Sequence, residues 1–398
     1  MKRTSLLFAP LLPLVLARPA LAMQPLTLDG AISRALSASP TLAIAQAEVG
    51  IASGNLLAAG RWSNPSLSAE GDNSEQDLDL RQPLPIWGAP GKQWQVARLG
   101  LDAADQRQAL AWLALRSEVT RVYFEAFADQ ERSRLAREDL RLDQQIVSIA
   151  VKRYQAGDAP RLEVLAAQTQ LSRGEAGEEA AAAKARASQE SLDLLLANPA
   201  SVTWDLATPS FDPAVAASAQ ASGSAAVRVR EVEFKEAKAA LSAAQALRWP
   251  EPALIVGVRR LGPFGGSPPG SVYAHGGLGI GLPTWDLGQG EIAAAEARRA
   301  RSEARLQQAQ LVARTSVARA RIALASAARR LVLAKARMTQ TRQLLQLARE
   351  SFAAGASDAL YVIEAQRQWL SARTERLDAI GAEGAALADL LPYLPSRP

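Results

Sequence analysis

Between residues 317 and 352 large apolar side chains return every seven positions, at Val317, Leu324, Leu331, Met338, Leu345 and Phe352. Small residues return between them, at Ala320, Ala327, Ala334, Thr341 and Ala348. A strict seven-residue period predicts helices wound left-handedly around one another. Alanine at one of the two seam positions predicts unusually close packing, as in a sheet-like wall of helices. The stretch belongs to a helical pattern from about 289 to 354, and a second such pattern runs from about 88 to 155, with no proline after Pro90. Each predicts a helix about 100 Å long, which calls for a coiled coil or helical array. Shorter helices are expected at about 29–39, 41–60, 160–197, 225–248 and 358–391.

Two other stretches change period. Leu78, Leu80, Leu84 and Ile86 alternate with Asp77, Asp79, Arg81 and Pro85, the two-residue period of a strand with one apolar and one polar face. In the second half, 253–261 leads into the turn-rich GPFGGSPPG at 262–270. The return places Val272, Ala274, Leu278, Ile280 and Leu282 on one face, with Tyr273, His275 and three glycines on the other. Hairpins are expected at about 65–87 and 252–284. Strands of roughly ten residues can cross a bilayer at a tilt.

These elements recur in the same order, and so do their junctions. YQAGDAPRLEVLAAQ (154–168) aligns without a gap on FAAGASDALYVIEAQ (352–366), at an offset of 198. LPIWGAPGK (84–92) and LPTWDLGQG (282–290) share that offset, and RWxxPxL occurs at 61–67 and 248–254. A duplicated molecule follows: a first repeat over 23–200, a linker over 201–224 rich in Pro, Ser and Ala, and a second repeat over 225–398. The aligned segments at 154–168 and 352–366 are two equivalent hairpin tips. Trp62, Trp87, Trp249 and Trp285 flank the hairpins in matched pairs, as an aromatic girdle at a membrane interface requires.

Composition adds limits. Residues 1–22 read as an export signal: Lys2 and Arg3, then an apolar run, then Ala20-Leu21-Ala22. Without Lys2, Arg3 and Arg18, the 45 basic residues become 42 against 40 acidic ones, so the pI of 9.7 does not signal nucleic-acid binding. Opposite charges interleave along the helices, the pattern of a solvated face. Beyond the signal no 18-residue apolar run exists to make a spanning helix. The chain has no cysteine and one histidine, and no HExxH, P-loop or GxSxG pattern. No enzymatic activity, metal site or cofactor is expected. His275 reads as a lumen-facing or edge histidine.

The signal, the duplicated helix–hairpin–long-helix–return-helix unit and the membrane-length strands together resemble TolC-type outer-membrane efflux channels over essentially the whole mature chain. LRQPLPIWGAPGKQ (80–93) and LPTWDLGQGEIAAAEAR (282–298) resemble the strand-to-helix exits of the CzcC-like, cation-efflux branch. The resemblance implies a mainly α fold with a small transmembrane β part. In it a homotrimer builds one twelve-stranded β-barrel, continued by a periplasmic α-helical barrel. Closing the barrel would remove the unpaired strand edges that lipid does not tolerate. The implied function is a passive exit duct of a tripartite, RND-type efflux system for heavy-metal cations. Its implied partners are a periplasmic membrane-fusion adaptor, an inner-membrane RND transporter reached through that adaptor, and outer-membrane lipid.

Carried onto this sequence, the resemblance places adaptor contacts at Gly157, Leu162, Val164, Gly355, Leu360 and Val362. It places a pore entrance or gate at Asp158, Glu163, Asp358 and Glu364, with Tyr361 departing from the family's acidic pattern. Negative charge near a helix N-terminus also offsets the dipole, so Asp158 and Asp358 read first as caps, and Glu364, lying deeper, reads as the pore residue. Drug or polypeptide efflux by the same family, and a soluble periplasmic coiled-coil scaffold, are the competing functions.

Overall fold

The computed structural model describes residues 24–71, 75–198, 204–209, 219–261, 271–281 and 287–394. The expected export signal, the expected 262–270 turn, Leu282 and Trp285 lie outside the described residues. Two helical hairpins dominate. In the first, α3 (Ala89–Ala156) returns as α4 (Arg161–Leu195); in the second, α6 (Gln289–Ala353) returns as α7 (Ala359–Leu390). Among the described residues there are three shorter helices as well, α1 (Leu28–Ala38), α2 (Pro40–Ala58) and α5 (Ala225–Ala246). Local chemistry marks their starts. The Thr27 hydroxyl accepts the Gly30 N–H at 3.2 Å ahead of α1, and Pro40 opens α2. Ser224 caps α5 through the Val227 N–H.

Helix α3 is the spine, packing against α1, α2, α4, α5 and α7, while α6 packs against α5 and α7. Both period-seven rows of α6 face the contact. Ala320, Ala327, Ala334, Thr341 and Ala348 are all buried; in the larger row Val317, Leu345 and Phe352 are buried and Leu324, Leu331 and Met338 are half-buried. Alanine lets the helix axes approach, which leaves the middle of the bulkier row on the shoulder of the contact.

The main core lies midway along α3. Tyr123, Phe124 and Phe127 meet Leu192, Trp204 and Leu377 there. A short parallel pair closes it: β1 (Gln24–Leu26) against β4 (Trp204–Leu206). The Tyr123 hydroxyl holds both sides, 2.7 Å from the Leu26 carbonyl oxygen and 2.8 Å from that of Ala207. Strand β4 lies in the 201–224 stretch expected to be linker. Three residues cannot display a two-residue period, so the sequence carries no strand signal there.

The other sheet is antiparallel, in the order β2 (Ser66–Gly71), β3 (Glu75–Pro83), β5 (Pro252–Leu261), β6 (Val272–Ile280). The last bond to β5 runs from the Leu84 N–H to the Pro252 carbonyl at 2.7 Å, and Pro85 has no N–H to extend the pairing. The register aligns Ala69, Leu78, Val258 and Ala274 in one cross-strand row and Leu67, Leu80, Val256 and Gly276 in the next. Leu67, Leu78, Leu80, Leu254, Val256, Val258, Val272, Leu278 and Ile280 are all exposed. One face of the sheet is therefore apolar and uncovered within a single chain, and β2 and β6 each leave an edge unpaired in it.

Candidate functional site

The two hairpin tips stand about 100 Å of helix away from the sheet. They turn by the same device. After α3, Gly157 adopts φ 83°, and the Asp158 N–H reaches back to the Arg153 carbonyl at 2.8 Å. After α6, Gly355 adopts φ 74°, and the Ala356 N–H reaches the Ser351 carbonyl at 2.9 Å. Both are helix ends closed by a left-handed glycine, and both glycines face open space.

Beyond the turn the copies diverge. Asp358 caps α7, its carboxylate accepting the Tyr361 N–H at 3.0 Å. Helix α4 instead starts behind Pro160 without a side-chain cap, and Asp158 is exposed. Leu162 is 69% exposed and Leu360 49%, but Val164 is half-buried and Val362 only 1% exposed. Val362 packs with Ile146, Ala150, Leu345, Phe352 and Ile363 in the tip core. Its side chain is buried, a correction to its expected role as a displayed contact: the fourth residue of α7 faces inward, towards α3 and α6.

The acidic residues separate in the same way. Glu364 is exposed, with its carboxylate accepting from Gln368 Nε2 at 3.2 Å. Glu163 is 5% exposed and accepts from Arg153 Nη1 at 3.3 Å. That ion pair holds the carboxylate below the surface, where it cannot ring a pore. The same Arg153 nitrogen donates to the Ser357 carbonyl at 3.2 Å, and its guanidinium lies 4.9 Å over the Phe352 ring. Arg153 thus stitches the first tip to the second. Its place one residue before the repeated segment hid it, since residue 351 in the other copy is serine.

At the sheet end, Trp87 and Trp249 stack with centroids 5.6 Å apart, and Trp87 Nε1 donates to the Pro250 carbonyl at 2.9 Å. Trp62 is exposed nearby in sequence, before β2. The face opposite the apolar one is charged. Arg259 donates to both oxygens of Asp77, at 2.8 and 3.0 Å. His275 Nε2 lies 2.8 Å from Asp79 Oδ1. The intervening strand contributes Gly257, where a Cβ would stand 1.9 Å from that oxygen, so only glycine leaves room for the pair. The alternation of the strands foretold this face, but the meeting of Asp79 and His275 over a glycine depends on register. Among the described residues, no group of three or more His, Cys, Asp or Glu side chains could hold a metal ion. No helix among them is long and apolar enough to cross a membrane.

Residues 31–198 and 216–394 match the sequence profile of the family described as outer membrane efflux protein. The nickel-cobalt-cadmium resistance protein NccC of Alcaligenes xylosoxydans xylosoxydans is 27% identical over 296 residues, 71% of this chain and 66% of that protein's length. Among solved structures, the outer membrane protein VceC of Vibrio cholerae superposes with a TM-score of 0.77 at 18% identity, covering 93% of this chain and 96% of that one. The open state of the MtrE outer membrane channel of Neisseria gonorrhoeae gives 0.71 at 20% identity, covering 93% and 89%. These two likenesses establish the fold.

Proposed function

Because the chain belongs to the outer membrane efflux protein family, we propose that it is the outer-membrane exit duct of a tripartite efflux system for heavy-metal cations. Three copies join their four-stranded sheets into a twelve-stranded barrel, and their helical hairpins into a periplasmic tunnel. The observation that carries this reading is the sheet. Its apolar face is uncovered and its two edges are open, a combination that is stable in lipid only when strands close on one another. The charged face, with Asp77, Asp79, Arg259 and His275, then lines the water-filled lumen, and the Trp87–Trp249 stack sits where the barrel meets the headgroups.

The tips form the periplasmic mouth, where Leu162 and Leu360 meet an adaptor and Glu364 faces the passage. Energy comes from an inner-membrane RND transporter acting through that adaptor, and the duct itself catalyses nothing. Metal cations are favoured over drugs or polypeptides by the likeness to NccC and by the CzcC-like strand exits.

The test is genetic and biochemical together. Deleting the gene should raise sensitivity to nickel, cobalt, cadmium or zinc while leaving a drug panel unchanged. The protein should fractionate with outer membranes as a detergent-stable trimer. Drug sensitivity alone would reassign the cargo, and a soluble monomer would favour the scaffold.

A further inference from the structure

Helices α3 and α7 join the two hairpins, and beneath the ion pairs Arg121–Asp389, Arg132–Asp378 and Arg373–Glu138 their contact carries a buried polar cluster. Asp139 and Asp143, one turn apart on α3, are 8% and 1% exposed, and Gln366 of α7 is 2% exposed. The single amide nitrogen of Gln366 serves both carboxylates, 2.5 Å from Asp139 Oδ1 and 3.0 Å from Asp143 Oδ1. From α4, Gly174 comes so close that a Cβ there would stand 2.5 Å from Asp143 Oδ2. Gln170 Nε2 is 3.5 Å from that same oxygen.

Two buried carboxylates sharing one amide are short of positive charge. The nearby cations do not meet the need. Arg373 of α7 pairs with Glu138 at 2.7 Å, and Arg367 donates to Gln170 Oε1 at 3.1 Å. Arg373 and, from α6, Arg349 act on Asp139, and Arg367 acts on Asp143, only through the longer-range field, none of them in an ion pair with either aspartate. The adjoining cavity of about 410 Å³ is lined by Arg173 and Glu178 of α4 together with Arg367 and Arg132, the last held by Asp129 and Asp378. Among the described residues neither aspartate forms an ion pair, and Gln366 Oε1 is buried without a donor. The cluster has a surplus of acceptors and lacks one hydrogen.

We infer that Asp139, Asp143 and Gln366 form a proton-binding site that locks the seam between the two hairpins. One proton, held on the aspartate pair, removes the like-charge repulsion and supplies the missing O–H donor. Its loss leaves two buried anions facing each other and weakens the grip of α7 on α3. Burial, and the charge of Asp139 beside it, push the Asp143 carboxyl up to about 6, and burial pushes Asp139 up as well. A carboxyl whose value is raised in the closed seam favours closure at low pH, and that support fades as pH climbs from about 4 towards 6 and beyond. The lock is therefore tight in acid and loosened near neutrality.

The test is amide hydrogen exchange of α7 peptides around Gln366 in the detergent-solubilised full chain, each pH point normalised to Asp143→Asn, which cannot titrate. The wild type should open about tenfold more often at pH 8 than at pH 5 relative to that variant. Asp139→Asn removes the neighbouring charge, so the wild-type rise should move to lower pH. A ratio that does not change with pH, or an unmoved midpoint in Asp139→Asn, would overturn the proposal. Should Asp143→Asn fail to fold, the Asp139→Asn midpoint decides alone.

Discussion

The two hairpin tips share a sequence, a turn and a glycine, yet they end in different surroundings. In the first, Leu162 stands in the open, α4 begins uncapped, and the acidic residue Glu163 is drawn inward by Arg153. In the second, Val362 is sealed in the tip core, Asp358 caps the helix, and the acidic residue Glu364 remains outside. The aligned glutamines repeat the lesson: Gln168 is exposed and Gln366 is buried between two aspartates. Duplication supplied one tip twice, and the second hairpin leans on α3, while the first exposes the same positions. In the proposed trimer, six tips of two kinds would face an adaptor.

The largest expected break in this pattern comes from Arg153→Ala. It leaves Glu163 buried without its counterion and cuts the bond to the Ser357 carbonyl. A cost of roughly 2–4 kcal/mol follows from orphaning a buried carboxylate, read as faster proteolysis at both tips in the folded protein. Next is the paired comparison of Val362→Ala with Val164→Ala. Removing methyls from the sealed position should cost about 2 kcal/mol, and less than half as much at the half-buried one; equal losses in denaturant melts would erase the distinction.

A smaller contrast separates the two tip aspartates. Asp358→Ala loses a cap worth about 1 kcal/mol. Asp158→Ala should cost a few tenths, since only the interaction with the helix terminus is lost. Smallest in stability, but largest in transport, is Glu364→Gln. Its melt should match the wild type while cation selectivity across a bilayer falls; unchanged selectivity would remove Glu364 from the mouth.

Much of this was legible because it is local. The seven-residue rows from Val317 to Phe352 announce helices without reference to any other part of the chain, and the alternation from Asp77 to Arg81 announces a two-faced strand. The glycine turns were equally plain, since Gly157 and Gly355 sit where helical pattern stops and restarts. What the sequence could not convey is which of two like residues would meet a neighbour. Glu163 and Glu364 both lie near the starts of return helices, but Glu163 is the third residue of α4 and Glu364 the sixth of α7, and Arg153 reaches only the first. Asp139 and Asp143 look like ordinary solvated charges on α3 until α7 arrives with Gln366 and α4 with Gly174. The β1–β4 pair escaped for a different reason, being too short to have a period.

The central claim, that this chain builds a membrane-spanning duct, is tested most directly by single-channel recording on the purified protein in planar lipid bilayers. The account predicts discrete conductance steps from a trimer-sized particle, with cations passing in preference to anions. A protein that remains monomeric and produces no steps would contradict it.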